Sequence, residues 1–189
     1  MPPTGASEAV DYFAALGLPK RHDLAETEIA TAYRAKARET HPDRFAGGDA
    51  ETIAAATRHS ASVNDAYRTL IDPVARANYL LLACGGPGSD EVRDVPGNLL
   101  VEVMAWREEI DAANASGDAG ALARHREAIG HKRGDALAAV ADAAGMLDRA
   151  GDDDKRAMRI ELNAIKYYDN LLEQLATDPL AGHETQTHG

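Results

Sequence analysis

Residues 38–45 read RETHPDRF, and this stretch decides how the first half of the chain is organised. A helical pattern precedes it over residues 25–40. Pro42 disfavours the helical conformation at the residue before it, so the helix must end at His41. Asp43 is then expected at the tip of a loop, where its carboxylate can accept a charge-assisted hydrogen bond from a partner arginine.

Three basic residues precede this turn on the same predicted helix: Arg34, Lys36 and Arg38. Their spacing of two residues spreads them over a broad solvated band rather than a single line. A basic band beside an exposed carboxylate suits a partner surface that carries acidic groups and an arginine. The alternative is a turn that only stops the helix, because aspartate and proline are common in turns.

Helical periodicity covers nearly the whole chain, and no segment has a convincing strand pattern. The chain is therefore predicted to be all-α, with Ser7 as the cap of its first helix. The predicted helices cover residues 7–16, 25–40, 50–71, 73–83, 98–115, 118–149 and 153–176.

The stretch GGPGSDEVRDVPG, residues 85–97, is rich in glycine and proline and is predicted to be a linker. It separates a helical domain over residues 1–84 from a bundle of three helices over residues 98–177. Residues 178–189 are expected to form a disordered tail.

The net charge of −11 is unevenly distributed. Residues 1–86 carry 9 Lys and Arg against 11 Asp and Glu, whereas residues 87–189 carry 11 against 20. This asymmetry suggests different partners for the two halves, and the negative charge argues against nucleic acid binding. The absence of a run of 18 apolar residues predicts no membrane span, and the absence of a signal-peptide pattern favours the cytoplasm.

Motifs for cofactors are missing from the sequence. Cys84 is the single cysteine, and the seven histidines show no metal-binding spacing. No phosphate-binding loop of the GxxxxGK[ST] type occurs. The sequence therefore predicts no cofactor, no metal and no catalytic activity, which disfavours the alternative of a small hydrolase or metalloenzyme.

The fifth predicted helix has more apolar residues than one core-facing stripe needs. The stripe consists of Leu99, Val103, Trp106 and Ile110. The surplus residues of this helix are Leu100, Val101 and Met104. The last helix also has a surplus: its predicted core face is Met158, Leu162, Ile165, Leu172 and Leu175, and Ile160, Tyr167 and Leu171 lie off that face. Either the surplus widens the core of an alanine-rich bundle, or it forms an exposed patch for a partner.

The order of motifs in the first half resembles the J-domain, the co-chaperone module named after DnaJ. The matching residues are DYFAALGL at 11–18, Tyr33, HPD at 41–43 and VNDAY at 63–67, although Ala35 interrupts the usual Lys-Arg pair after Tyr33. The resemblance implies that the HPD residues His41, Pro42 and Asp43 contact a DnaK-type chaperone and trigger its ATP hydrolysis. The basic residues Arg34, Lys36 and Arg38 would lie in the same contact.

The chain to about residue 176 resembles the HscB/Jac type of J-protein, the co-chaperone of iron–sulfur cluster assembly. DPVARANYLL at 72–81 and LLVEVMAWREEID at 99–111 carry this resemblance. It implies an L-shaped pair of a J-domain and a three-helix bundle. It also implies that an IscU-type scaffold protein contacts Leu100, Val101, Met104, Glu108 and Tyr167, although Ala105 replaces a common glutamate.

The resulting expectation is a cytoplasmic adaptor without enzymatic activity. It would stimulate a DnaK/HscA-type chaperone and deliver an IscU-type iron–sulfur scaffold to it, without binding nucleic acid or membranes. The alternative is a general DnaJ-like co-chaperone, or a holdase for unfolded client proteins.

Overall fold

The structure, a computed structural model, describes residues 10–176, and these residues form helices and turns without a strand. The predicted all-α fold is confirmed. The chain forms two compact units that divide between Cys84 and Gly85, here called unit 1 and unit 2. The helices are α1 (Tyr12–Leu16), α2 (Glu26–Thr40), α3 (Ala50–Ile71), α4 (Pro73–Ala83), α5 (Leu99–Ser116), α6 (Ala119–Gly145) and α7 (Asp152–Ala176).

The first helix begins at Tyr12, later than the periodicity predicts. Asp11 is its N-cap, because the Asp11 carboxylate accepts hydrogen bonds from the backbone N–H groups of Phe13 and Ala14. Ser7, the predicted cap, lies outside the described residues, and so does the predicted tail over residues 178–189.

The core of unit 1 is built around α3, which contacts α1, α2 and α4. Phe13 and Leu16 contribute from α1, Ile29 from α2, and Val63 and Leu70 from α3, and each is at most 2% exposed. Burial of each such side chain stabilises the fold by about 1.5–3 kcal/mol relative to leaving it in water. Because α3 contacts the other three helices of unit 1, it holds this core together.

Helices α2 and α3 form an antiparallel hairpin. The Tyr33 hydroxyl in the middle of α2 donates a hydrogen bond to Asn64 Oδ1, 2.9 Å away. The Tyr33 ring stacks on Tyr67, with ring centroids 4.2 Å apart and planes 18° apart. Thr40, at the end of α2, lines a groove with Ala56, nearer the start of α3. These pairings run in opposite directions along the two helices, as a hairpin requires.

Two buried polar side chains hold α4 against the rest of unit 1. His22 Nε2 lies 3.1 Å from the carbonyl oxygen of Pro73, and because a carbonyl can only accept, His22 donates. Burial lowers the pKa of His22, which favours the neutral ring. Arg76 Nη1 donates to the carbonyl oxygen of Leu70 at 3.0 Å.

Unit 2 contains a bundle in which α6 runs antiparallel to α7. Arg133 forms an ion pair with Asp169, and Arg126 donates to the carbonyl oxygen of Leu175. From Arg126 to Arg133 along α6, the partner changes from Leu175 back to Asp169 along α7. This is the arrangement expected of helices joined by a short connection.

Helix α5 runs parallel to α7 in this bundle. The ring of Trp106 lies 6.3 Å from that of Tyr168 in an edge-on arrangement. Further along both helices, Gln174 donates a hydrogen bond to Asp111 at 3.0 Å. The three helices therefore alternate in direction along the chain, as predicted for a bundle with tight turns.

Two details of the bundle differ from the predictions. Leu171 is fully buried, although its spacing placed it off the core face, and Leu172 is only half-buried. The reason is that the core stripe passes through Tyr168, three residues before Leu171. In addition, α6 ends at Gly145, and a 3₁₀ turn over Leu147–Arg149 follows it.

The role of α3 can be tested with a matched pair of Leu→Ala substitutions. Leu70→Ala should lower the free energy of unfolding by about 2–5 kcal/mol, because it leaves a cavity at a side chain with no exposure. Leu82→Ala in α4 should cost less than about 1 kcal/mol, because Leu82 is 46% exposed. Urea denaturation followed by circular dichroism measures both. Equal losses would contradict the assigned core.

Candidate functional site

The His-Pro-Asp turn follows α2 directly. His41 has an extended backbone, with φ −61° and ψ 128°, and this ends the helix as Pro42 demands. Pro42 then begins a 3₁₀ turn over Pro42–Phe45. The backbone N–H of Asp43 donates to Nδ1 of His41 across 3.3 Å. The imidazole is therefore the N-cap of this turn.

The polar side chains of this turn point into solvent. The Asp43 side chain is 90% exposed and that of His41 is 58% exposed. Asp43 Oδ2 lies 3.5 Å from His41 Nδ1, the nitrogen that accepts the Asp43 N–H, and within residues 10–176 no lysine or arginine pairs with this carboxylate. The arrangement leaves a negative charge that is available to a cation on another molecule.

The basic band on α2 is only partly available. Lys36 Nζ lies 2.9 Å from the carboxylate of Glu39, and this hydrogen bond lowers the pKa of Glu39. The pair offsets the charge of Lys36. Arg34 is exposed and donates to Thr31 on its own helix, at 3.3 Å, and Arg38 is exposed as well. The two arginines are thus the cations of this band that a partner can reach.

Arg44 is a neighbour of the turn that the sequence analysis did not single out. It follows Asp43 directly, is exposed, and donates through Nη1 to the carbonyl oxygen of Arg38 at 3.4 Å. This contact helps to close the end of α2, which otherwise has unpaired carbonyl groups. Its position next to the HPD motif was the signal that could have identified it.

The second surface lies on α5. Three of its large apolar side chains are strongly exposed: Leu100 at 50%, Val101 at 68% and Met104 at 65%. Glu108, one turn after Met104, is exposed too. These four residues are here called the α5 row. The other exposed large apolar side chains of residues 10–176 are Val10, Ile53, Leu82 and Met146, and no two of them share a helix. Three on one helix face form a patch of the kind that marks a partner site.

The exposure of the α5 row decides between the two interpretations of the apolar surplus in α5. The core face consists of the half-buried Trp106, which packs on Tyr168, and of four residues that are at most 5% exposed: Leu99, Val103, Ile110 and Ala113. The surplus in α5 therefore does not widen the core. Tyr167 on α7 is half-buried and directly precedes Tyr168, which packs against Trp106 of α5.

Two kinds of site are not found within residues 10–176. No three His, Cys, Asp or Glu side chains come together there in a group able to hold a metal ion. No helix of that part of the chain is both long enough and apolar enough to cross a bilayer.

Comparisons with known families match both halves of the chain. The model of the DnaJ domain matches residues 11–79. The model described as the HSCB C-terminal oligomerisation domain matches residues 95–176. The first match contains the His-Pro-Asp turn, and the second contains the α5 row and Tyr167.

Two curated relatives are also similar to this chain. The chain is 36% identical over 111 residues to "Co-chaperone protein HscB" of Proteus mirabilis, a match that covers 58% of this chain and 64% of that protein. It is 37% identical over 110 residues to "Co-chaperone protein HscB homolog" of Chromobacterium violaceum, covering 58% and 63%. The aligned stretch thus spans slightly less than two thirds of these relatives.

Two solved structures are similar over more of the chain. "Chaperone HscB from Vibrio cholerae" has a TM-score of 0.73 and 28% identity, and the match covers 88% of this chain and 96% of that one. The human co-chaperone protein HscB has a TM-score of 0.73 and 22% identity, with 90% and 83% covered. The human structure supports the fold alone.

If the α5 row is a surface rather than part of the core, polar substitutions there should leave the fold intact. Leu100→Ser combined with Met104→Ser should change the free energy of unfolding by less than about 1 kcal/mol, because both side chains are already in water. Val103→Ser, between them on the buried face, should cost about 2–4 kcal/mol. Urea denaturation measures both variants. A large loss in the double variant would place the row in the core.

Proposed function

We propose that this chain, which belongs to the HscB-type family of J-domain proteins, is a co-chaperone that couples a DnaK/HscA-type chaperone to an IscU-type iron–sulfur scaffold protein. One observation carries the proposal: the same chain has an exposed His-Pro-Asp turn on unit 1 and an exposed apolar row on unit 2. The chain itself performs no reaction in this proposal, and it acts in the cytoplasm.

The chaperone would be bound through unit 1. In this proposal Asp43 accepts a hydrogen bond from an arginine of the chaperone, since its carboxylate is 90% exposed. His41 and Pro42 keep that carboxylate at the end of α2. Arg34 and Arg38, with Lys36 beside them, face an acidic surface of the chaperone and steer the encounter. The contact biases the chaperone toward ATP hydrolysis, and the ATP is bound by the chaperone.

The scaffold would be bound through unit 2. In this proposal Leu100, Val101 and Met104 insert into an apolar surface of the scaffold, with Tyr167 at the edge of the contact and Glu108 pairing with a basic residue. An apolar centre with a charged rim is the usual composition of such interfaces. Methionine adapts its shape to a partner, and tyrosine is common at interface centres.

Coupling follows from holding both partners on one chain. When the scaffold is bound to unit 2 and the chaperone to unit 1, the chaperone meets the scaffold at a high effective concentration. Hydrolysis triggered at the His-Pro-Asp turn then favours the tight-binding state of the chaperone while the scaffold is nearby. Neither contact alone gives this result.

Single-turnover ATP hydrolysis by the organism's DnaK-type chaperones tests the proposal. The protein should accelerate hydrolysis, and the scaffold should increase that acceleration further. Asp43→Asn should abolish both effects, because the amide keeps the shape of the side chain but removes its charge. Leu100→Ser with Met104→Ser should lose only the additional effect of the scaffold.

The outcomes separate the candidate functions. Acceleration that ignores the scaffold would indicate a general DnaJ-like co-chaperone with other clients. Prevention of aggregation of unrelated unfolded proteins, dependent on the α5 row, would indicate a holdase. No acceleration by any of the chaperones would mean that the His-Pro-Asp turn only stops α2, and the proposal would be wrong. Binding of an added nucleotide or metal is not expected in any of these cases.

A further inference from the structure

Residues 87–94 lie against α7 although their composition predicts a linker. Val92 is 5% exposed, and its N–H donates to the carbonyl oxygen of Gly88 at 3.1 Å. These eight residues, here called the strap, belong to unit 2. Their position depends on hydrogen bonds to side chains some seventy residues later in the sequence.

Two buried side chains of α7 hold the strap. Arg159 is 1% exposed, and its Nε donates to the carbonyl oxygen of Pro87 at 2.9 Å. Asn163 is 6% exposed, and its Nδ2 donates to the carbonyl oxygens of Val92 at 2.9 Å and Asp94 at 3.0 Å. Arg159 and Asn163 are four residues apart and so lie on one face of α7.

Charge strengthens the same attachment. Arg156, about two turns before Asn163 and itself exposed, forms an ion pair with Asp94. Burial lowers the pKa of Arg159, and the carboxylates of Asp90 and Glu91 in the strap oppose that shift. A buried guanidinium and a buried amide are costly without their acceptors, so release of the strap would be unfavourable.

The strap shortens the connection between the two units. Cys84 is attached to the end of α4, because its N–H donates to the carbonyl oxygen of Leu80 at 2.9 Å. Arg159 of α7 holds the carbonyl oxygen of Pro87. At most two residues, Gly85 and Gly86, therefore separate the end of α4 from the part of the chain that α7 holds. Without the strap, residues 85–95 would be free, up to Pro96, whose carbonyl oxygen accepts from the N–H of Leu99 at the start of α5.

We propose that Arg159 and Asn163 are positioning residues that keep this connection short and so raise the effective concentration of one bound partner at the other. The functional half of this inference rests on the proposed adaptor function, whereas the attachment of the strap does not. Effective concentration falls roughly as the −3/2 power of the length of a flexible connection. Lengthening it from two residues to about eleven lowers the effective concentration on the order of tenfold.

Limited proteolysis tests the attachment by itself. Arg93 is exposed but lies between the two carbonyl groups that Asn163 holds, so trypsin can cut after it only when the strap opens. Asn163→Leu keeps the size of the side chain and removes both donors. Cleavage after Arg93 should become about tenfold faster or more, because proteolysis follows the opened population.

Matched variants guard against a general loss of structure. Asn170→Leu makes the same change on the exposed side of α7 and should leave cleavage after Arg93 unchanged. Arg156→Gln removes only the surface ion pair and should accelerate cleavage by a smaller factor. Unchanged cleavage in Asn163→Leu, or equal acceleration in Asn170→Leu, would overturn the attachment.

Single-turnover ATP hydrolysis with the full chain tests the positioning role. The double variant Arg159→Met/Asn163→Leu, which removes the donors to Pro87, Val92 and Asp94, should accelerate hydrolysis like the wild type when the scaffold is absent. With the scaffold, it should need about tenfold more scaffold for half of the effect and reach the same maximum. A lower maximum would indicate a merely structural defect and would overturn the proposal. An unchanged scaffold requirement in a variant whose strap has opened would overturn it as well. Absence of any scaffold effect in the wild type would contradict the proposed function instead, and the positioning role would fall with it.

Discussion

The packing of α2 against α3 is the constraint on which the His-Pro-Asp turn depends. Pro42 makes α2 stop, but it does not determine where the stop is presented. That is determined by Tyr33, which bonds to Asn64 and stacks on Tyr67 two turns before the turn begins. With α2 held there, its end lies against α3, where Thr40 lines a groove with Ala56, and the carboxylate of Asp43 stays in water. Tyr33, Asn64 and Tyr67 lie far apart in the sequence, but they contact one another and hold the helix that leads into His41–Asp43.

Unit 2 separates its core from its surface within a single helix. Val103 faces the bundle, whereas Met104 beside it faces solvent, because neighbouring helical residues point about 100° apart. The bundle is satisfied by one stripe per helix, so the exposed row on α5 contributes little to stability. Apolar residues that do not stabilise the fold are explained more simply by a partner, and this is why the row supports an adaptor.

Much of this was predictable from the sequence because it depends on local chemistry. The end of α2 follows from Pro42, the start of α4 follows from Pro73 and the Asp72 cap, and the α5 row follows from periodicity. What could not be predicted depends on contacts between distant residues. The strap is held by hydrogen bonds from Asn163, and the composition of residues 85–97 does not reveal that distant partner. Leu171 is buried because the core stripe of α7 passes through Tyr168. The L shape and the partner contacts of the site residues stay predictions.

The central claim is that the two surfaces must lie on one chain. Complementation between two full-length variants tests it most directly, using Asp43→Asn, which lacks the chaperone contact, and Leu100→Ser/Met104→Ser, which lacks the scaffold contact. Each is mixed with chaperone, scaffold and an equal amount of the other, and single-turnover ATP hydrolysis is measured. The adaptor account predicts that the mixture shows no more scaffold effect than the second variant alone. Recovery of the full wild-type effect by the mixture would contradict it, because the partners would then not need a shared chain.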